Sequence, residues 1–175
     1  MMGSLAAVCL LSASLFLSWA PAAGHRGLQI GLCRVSVNLQ EVRDSFNAIR
    51  KLIQSQDSSL SLRIIEKSSL QDVTPSQRCC LLRHLLRFYI ERVFRHCEAA
   101  EVPLRRKISV LANSFLSIKR DLKLCHAELT CACGEESGLK YEIIQENFQT
   151  MDASTAVLKA LGELDILLDW MERIH

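Results

Sequence analysis

Proline and glycine are scarce in this chain, three and seven among its 175 residues. Runs of alternating apolar and polar residues long enough to build a packed sheet are missing too, which excludes an all-β or mixed fold and leaves an all-α one. A strong charge of one sign is absent. The chain carries 21 basic against 19 acidic residues, a formal net charge of +2, without the basic footprint of a nucleic-acid partner. Asn38, Asn47, Asn113 and Asn147 all fail the N-x-S/T test, so N-glycosylation is not expected. No G-x-S-x-G elbow or H-E-x-x-H motif occurs, and "GEESGLK" lacks the glycine spacing and Lys–Ser/Thr end of a phosphate loop. His84, His96 and His126 read as surface histidines on Arg-rich faces or near helix ends. Glu163 and Asp165 are two apart, so on a helix they do not face one another. Paired-carboxylate hydrolysis needs suitably separated groups from more than one element. No enzyme is expected, and no cofactor or metal.

What is present begins with an apolar run from Leu5 to Trp19, followed by small residues up to Gly24. This is the pattern of a secretory leader, although no Lys or Arg opens it. The expectation is a signal peptide over 1–24 and a single domain over 25–175, secreted and extracellular. No later apolar stretch is long enough to span a bilayer, so membrane insertion is not expected.

The remainder reads as helices. Val35, Leu39, Val42, Phe46, Ile49 and Ile53 step by three and four, which gives a first helix one apolar face. A long connection follows to Pro75, with room for one short helix or extended piece. A second long helix is predicted from about Ser76 to Cys97. A third follows Pro103, with Ile108, Leu111, Phe115, Ile118 and Leu122 inward. A fourth carries Leu139, Ile143, Ile144 and Phe148 near Met151. A fifth, from Ser154 to Met171, carries Val157, Ala160, Leu161, Leu164, Leu168 and Met171. The middle of the chain, "RHLLRFYIERVFRH" and "PLRRKI", is rich in arginine. Such bands are usually solvated helix faces, and acidic glycans are the other class of partner they suit.

Of eight cysteines, Cys9 lies in the leader and seven remain. The adjacent Cys79–Cys80 and the C-x-C of Cys131 and Cys133 are not zinc knuckles. C-x-x-C is absent, so a thioredoxin-type centre has no support. Export favours disulfides. Cys79 and Cys80 do not easily bond each other, so two separate partners are expected. Cys33 is within reach of Cys125. Spacing alone does not fix the connectivity, since six cysteines allow fifteen pairings. Cys97 is the odd one out.

The stretches "NLQEVRDSFNAIR", "RCCLLRHLLRFYIERVF", "RKISVLANSFLSIKRDLKLCH", "CACGEE" and "VLKALGELDILLDWM" closely resemble the interleukin-10 family, within it the subgroup of interleukins 19, 20 and 24. The resemblance implies a compact, disulfide-stapled helical cytokine bundle of six or seven helices that acts as a monomer. It implies the pairs Cys33–Cys125, Cys79–Cys131 and Cys80–Cys133, with Cys97 unpaired. It also implies two distinct class II cytokine receptor ectodomains as partners: interleukin-20 receptor alpha or interleukin-22 receptor alpha-1, together with interleukin-20 receptor beta. Signalling would run through Janus kinases and STAT proteins. Family receptor surfaces use the first helix, the following connection and the last helix on one side, and a second receptor chain docks near the faces of the first and third long helices. Charged and aromatic residues there give the candidates Arg43, Asp44, Arg50, Lys51, Arg63, Glu66, Lys159, Glu163 and Trp170. The alternative from another class is a secreted helical carrier or structural protein that holds a small apolar ligand between its helices.

Overall fold

The computed structural model describes residues 27–174 apart from 32, 58–60, 98–101, 129–130 and 132. The expected leader lies outside the described residues. The described residues start with a small hairpin that the sequence pattern did not reveal. Strand β1 (Leu28–Ile30) pairs antiparallel with β2 (Cys33–Val35), Leu28 opposite Val35 and Ile30 opposite Cys33. Gly31 turns the corner at φ 60°, a left-handed conformation that suits glycine. Leu28, Ile30, Cys33 and Val35 are buried, and Gln29 and Arg34 are exposed. Three residues per strand are too few for a two-residue period to stand out from chance.

Seven α-helices follow among the described residues. Helix α1 (Leu39–Gln56) starts at Asn38, whose side chain accepts from the backbone N–H groups of Gln40 and Glu41, satisfying donors that the first turn leaves open. Its buried stripe is Val42, Phe46, Ile49 and Ile53. The long connection contains the short α2 (Lys67–Gln71), which buries Leu70. Helix α3 (Pro75–Phe88) has proline in its first turn, where the missing N–H costs nothing.

The second long helix is not a uniform α-helix up to Cys97. A π turn (Tyr89–Val93) and a 3-10 turn (Phe94–Cys97) replace its last part. The N–H of Phe94 donates to the carbonyl of Tyr89, five residues back. In a regular α-helix residues five apart point in different directions, whereas the wider turn lets both rings face the core. Tyr89 and Phe94 both pack on Phe115, at ring-centroid distances of 5.7 and 5.2 Å. The Tyr89 hydroxyl donates to the carbonyl of Ala160 at 2.7 Å.

Helix α4 (Val102–Glu128) buries Ile108, Leu111, Phe115, Ile118 and Leu122. Helix α5 (Glu135–Gln149) differs from expectation in its register. Its inner face is Ser137, Ile144 and the half-buried Tyr141 and Phe148, while Leu139 and Ile143 are half exposed. Gln77 sets that register. Its side-chain oxygen accepts from the Gly134 N–H at 2.7 Å and the Ser137 hydroxyl at 2.9 Å, turning Ser137 inward.

The last helix is two helices, α6 (Ala153–Gly162) and α7 (Leu164–Arg173), broken at Glu163. Asp152 caps α6 by accepting from the Thr155 N–H. Helix α1 lies against α4, α6 and α7, α3 lies against α4 and α5, and β2 lies on α4. One cluster of buried side chains joins hairpin and helices, and no helix among the described residues is long and apolar enough to cross a membrane. Leu161 and Leu164 are buried beside the break. Leu164→Ala is expected to lower stability by about 2–5 kcal/mol, seen as a lower thermal midpoint. An unchanged melting curve would mean that this side chain does not pack as described.

Candidate receptor-binding surface

Three disulfides frame the molecule. Cys33–Cys125 ties β2 to α4 across 92 residues, with Cα atoms 5.7 Å apart. Cys79–Cys131 and Cys80–Cys133 lie side by side and tie α3 to the segment before α5. His84 lies beside the second of these. Cys80, His84 and Cys133 gather their ligand atoms within 4.8 Å, but the two sulfurs are bonded to each other, which leaves no thiolate pair for a metal. Cys97 is free and half-buried; its thiol donates to the Val93 carbonyl, and burial pushes its pKa up to about 11. At neutral pH it is therefore a thiol and a poor nucleophile.

Two charged residues from the candidate set are internal. Glu163 is 5% exposed and Lys159 also 5%. The Glu163 carboxylate accepts from the backbone N–H of Ile64 at 3.1 and 3.2 Å and from that of Ile65 at 2.8 Å. These amides belong to the connection after α1, where no helix or strand supplies an acceptor. Burial pushes the Glu163 pKa up to about 7, against the opposing pull of the two amides, Lys159 and Arg63. Lys159 pairs with Asp57 at 2.6 Å. One turn of α6 and the break after it thus hold the connection at its start, Asp57, and again just before α2, at Ile64 and Ile65. Trp170 is 2% exposed and belongs to the core. Helix α7 buries Leu164, Ile166, Leu167, Leu168, Trp170 and Met171, a wide apolar arc that leaves Asp165, Asp169, Glu172 and Arg173 outside. Lys159, Glu163 and Trp170 are therefore corrected from surface contacts to internal supports.

Arg43 and Arg50 lie between these cases. Arg43 reaches Asp169 and Glu172, both at 2.9 Å, and Arg50 reaches Asp165 at 2.9 Å. Together they make a charged seam between α1 and α7. Exposed pairs of this kind contribute about 0–1 kcal/mol each, so their main effect is to orient the side chains. Asp44, Lys51, Arg63 and Glu66 are exposed. Only these four of the nine candidates have side chains both outside the core and outside the α1–α7 seam.

Beside them are two residues that the charge-based reading missed. Leu52 and Leu62 are 47% and 48% exposed and adjoin Lys51 and Arg63 in sequence. They place apolar surface next to these charges, an apolar patch with a polar rim. Leu52 falls off the α1 stripe of Val42, Phe46, Ile49 and Ile53, so its period was the available signal. Leu62 lies in a non-periodic segment and gave none.

The site is thus a solvent-facing surface on α1 and the described part of the connection, carried by a helical bundle with one joined core. That combination is the build of a disulfide-stapled helical cytokine, a protein that works by contact and not by catalysis. Residues 21–174 match the family Interleukin 10. Interleukin-20 of Mus musculus is 46% identical over 166 residues, covering 94% of both chains. Interleukin-19 of Homo sapiens is 33% identical over 144 residues, covering 82% of this chain and 81% of that one. The crystal structure of human interleukin-19 superposes with a TM-score of 0.74 at 32% identity, over 81% of this chain and 91% of that one. An edited human interleukin 24 gives a TM-score of 0.73 at 36% identity, over 85% and 98%. The chain belongs to the interleukin 10 family, in its subgroup of interleukins 19, 20 and 24.

Proposed function

We propose that this cytokine is exported by its leader, residues 1–24, and as a monomer over 25–175 brings together two different class II cytokine receptor chains. The chains that fit the resemblance are interleukin-20 receptor alpha or interleukin-22 receptor alpha-1, each with interleukin-20 receptor beta, and the outcome is Janus kinase and STAT signalling. The observation that carries this reading is family membership across the whole described bundle. The exposed set Asp44, Lys51, Leu52, Leu62, Arg63 and Glu66 supports it as a contact surface. Charged groups there steer and select, while the leucines supply the desolvated contact.

The groove between the start of α1 and α4, lined by Ser36, Asn38, Glu41, Asn113 and Arg120 among others, does not suit the small apolar ligand of the carrier alternative.

The test is surface plasmon resonance on each receptor ectodomain, singly and then together. Lys51→Glu with Arg63→Glu is expected to weaken one receptor chain about tenfold or more and to leave circular dichroism unchanged, and Lys51→Glu alone, whose side chain is exposed, is expected to leave melting unchanged as well. Correctly oxidised monomer that binds no class II receptor pair would overturn the reading.

A further inference from the structure

On the face formed by α3 and α4, a groove of about 440 Å3 opens beside the Cys80–Cys133 bridge. Arg83, His84 and Arg87 enter it from α3, and Lys119 and Lys123 from α4. The one acid in its lining, Glu91, is held by Arg87 at 3.1 Å. Four permanent cations against one paired acid is a local excess that the whole chain, at +2, does not have. The basic track continues past the groove. Arg87 and Arg92 line a second hollow with His84, Tyr141, Gln145 and the same Glu91. From Arg83 to Arg92 the helix axis advances by at most roughly 14 Å, at about 1.5 Å per α-helical residue, since the π turn is part of that stretch. A single sulfate or phosphate ion covers only a small part of that length, so the complementary ligand is an extended chain of anions.

We propose that this groove binds a sulfated polysaccharide chain of the glycosaminoglycan class, its sulfates distributed over Arg83, Arg87, Lys119 and Lys123. The choice of a glycan over other polyanions rests on the proposed export, because sulfated chains are the polyanions of the cell exterior. Among the described residues the groove shares no side chain with the α1-and-connection surface, so a receptor chain docked on that surface leaves the groove open.

His84 adds a signature. It is half-buried and stacks on Tyr141 at 4.7 Å. Burial lowers its pKa first, and Arg83 and Arg87 lower it further. Lys119 and Lys123 on α4 add positive charge from the opposite wall and Arg92 from the second hollow; Glu91 opposes them, and Tyr141 and Gln145 on α5 carry no charge. A bound sulfate offsets that positive field and favours the imidazolium. By linkage, protonation then favours binding.

The experiment titrates a heparin-derived oligosaccharide into the oxidised protein at about 150 mM salt, where exposed charges are already screened beyond about 8 Å. The variant Arg83→Gln, Lys119→Gln, Lys123→Gln is expected to bind roughly tenfold or more weaker. A control with the same charge removed elsewhere, Lys51→Gln, Lys67→Gln, Arg173→Gln, is expected to bind as the parent does. Affinity of the parent is expected to rise severalfold from about pH 7.4 to about pH 6, and His84→Asn to remove that rise. Equal loss in both triple variants would reduce the effect to net charge and overturn the proposal. So would a desulfated chain, inorganic sulfate or a single-stranded oligonucleotide that binds as tightly as the sulfated one. Receptor binding is measured on the same samples. Parent protein that binds receptor but no sulfated chain rejects the groove alone, and protein that binds the sulfated chain but no receptor rejects the cytokine reading alone.

Discussion

Replacing Cys33 and Cys125 together by serine is expected to lower the unfolding free energy by about 4–5 kcal/mol. The bridge closes a segment with a sequence separation of 92, and in the chain-entropy picture the stabilisation grows with the logarithm of that length. No other bridge restrains the hairpin, because the remaining two join α3 to the segment before α5. Removing Cys80 and Cys133 is a useful contrast. Their separation is 53, but the neighbouring Cys79–Cys131 bridge, with a separation of 52, still closes almost the same loop. The second deletion is therefore expected to cost only a fraction of the first, about 1 kcal/mol. Denaturant midpoints of the two double variants, each with its other bridges oxidised, decide it. Equal losses would mean that local packing around each bridge, and not loop closure, sets its contribution.

Glu163→Ala is expected to cost about 2–5 kcal/mol, because it strands the buried Ile64 and Ile65 N–H groups without an acceptor. Glu163→Gln keeps an acceptor oxygen and should cost less. The same residue gives stability a pH dependence with a definite sign. Its pKa rises from 4.5 to about 7 on folding, so between these values the folded state holds a proton that the unfolded state has released. This group therefore makes the protein more stable as pH falls from about 7 towards 4.5, by at most about 3 kcal/mol, and adds no further change above 7. His84 acts in the opposite sense, since its pKa is lowered from 6.5 and acid favours its unfolded form. The quantity to measure is the difference in melting temperature between parent and Glu163→Gln across this pH range. A difference that does not depend on pH would show that Glu163 stays ionised in the fold.

Residues close in sequence carried most of the readable fold. The three-and-four steps of α1 and α4 place Phe46, Ile49, Phe115 and Ile118 inward, as observed. Pro75 and Asn38 mark helix starts by local chemistry alone. Failures occurred where a distant group overrides the period. Gln77 rotates α5, and the amides of Ile64 and Ile65 draw Glu163 inward and break the last helix. Lys159 followed the same course. Its partner Asp57 lies on the far side of the connection, and nothing within a helix turn of Lys159 announces it. A charged residue with no visible partner reads as solvated, so the surface was legible where charges stay local, at Asp44, Lys51, Arg63 and Glu66, and was misread where they pair across the fold.

The carboxylate at position 163 also bears on the energetics of encounter. Ile64 and Ile65 are fully buried and hydrogen-bonded, and Arg63 and Glu66 flank them at the surface. A free loop of this length loses conformational entropy when a partner immobilises it, roughly 1–2 kcal/mol per residue of backbone. Here that ordering takes place during folding, so a receptor that docks on this stretch meets a rigid template, and little of its contact energy is diverted into freezing the loop.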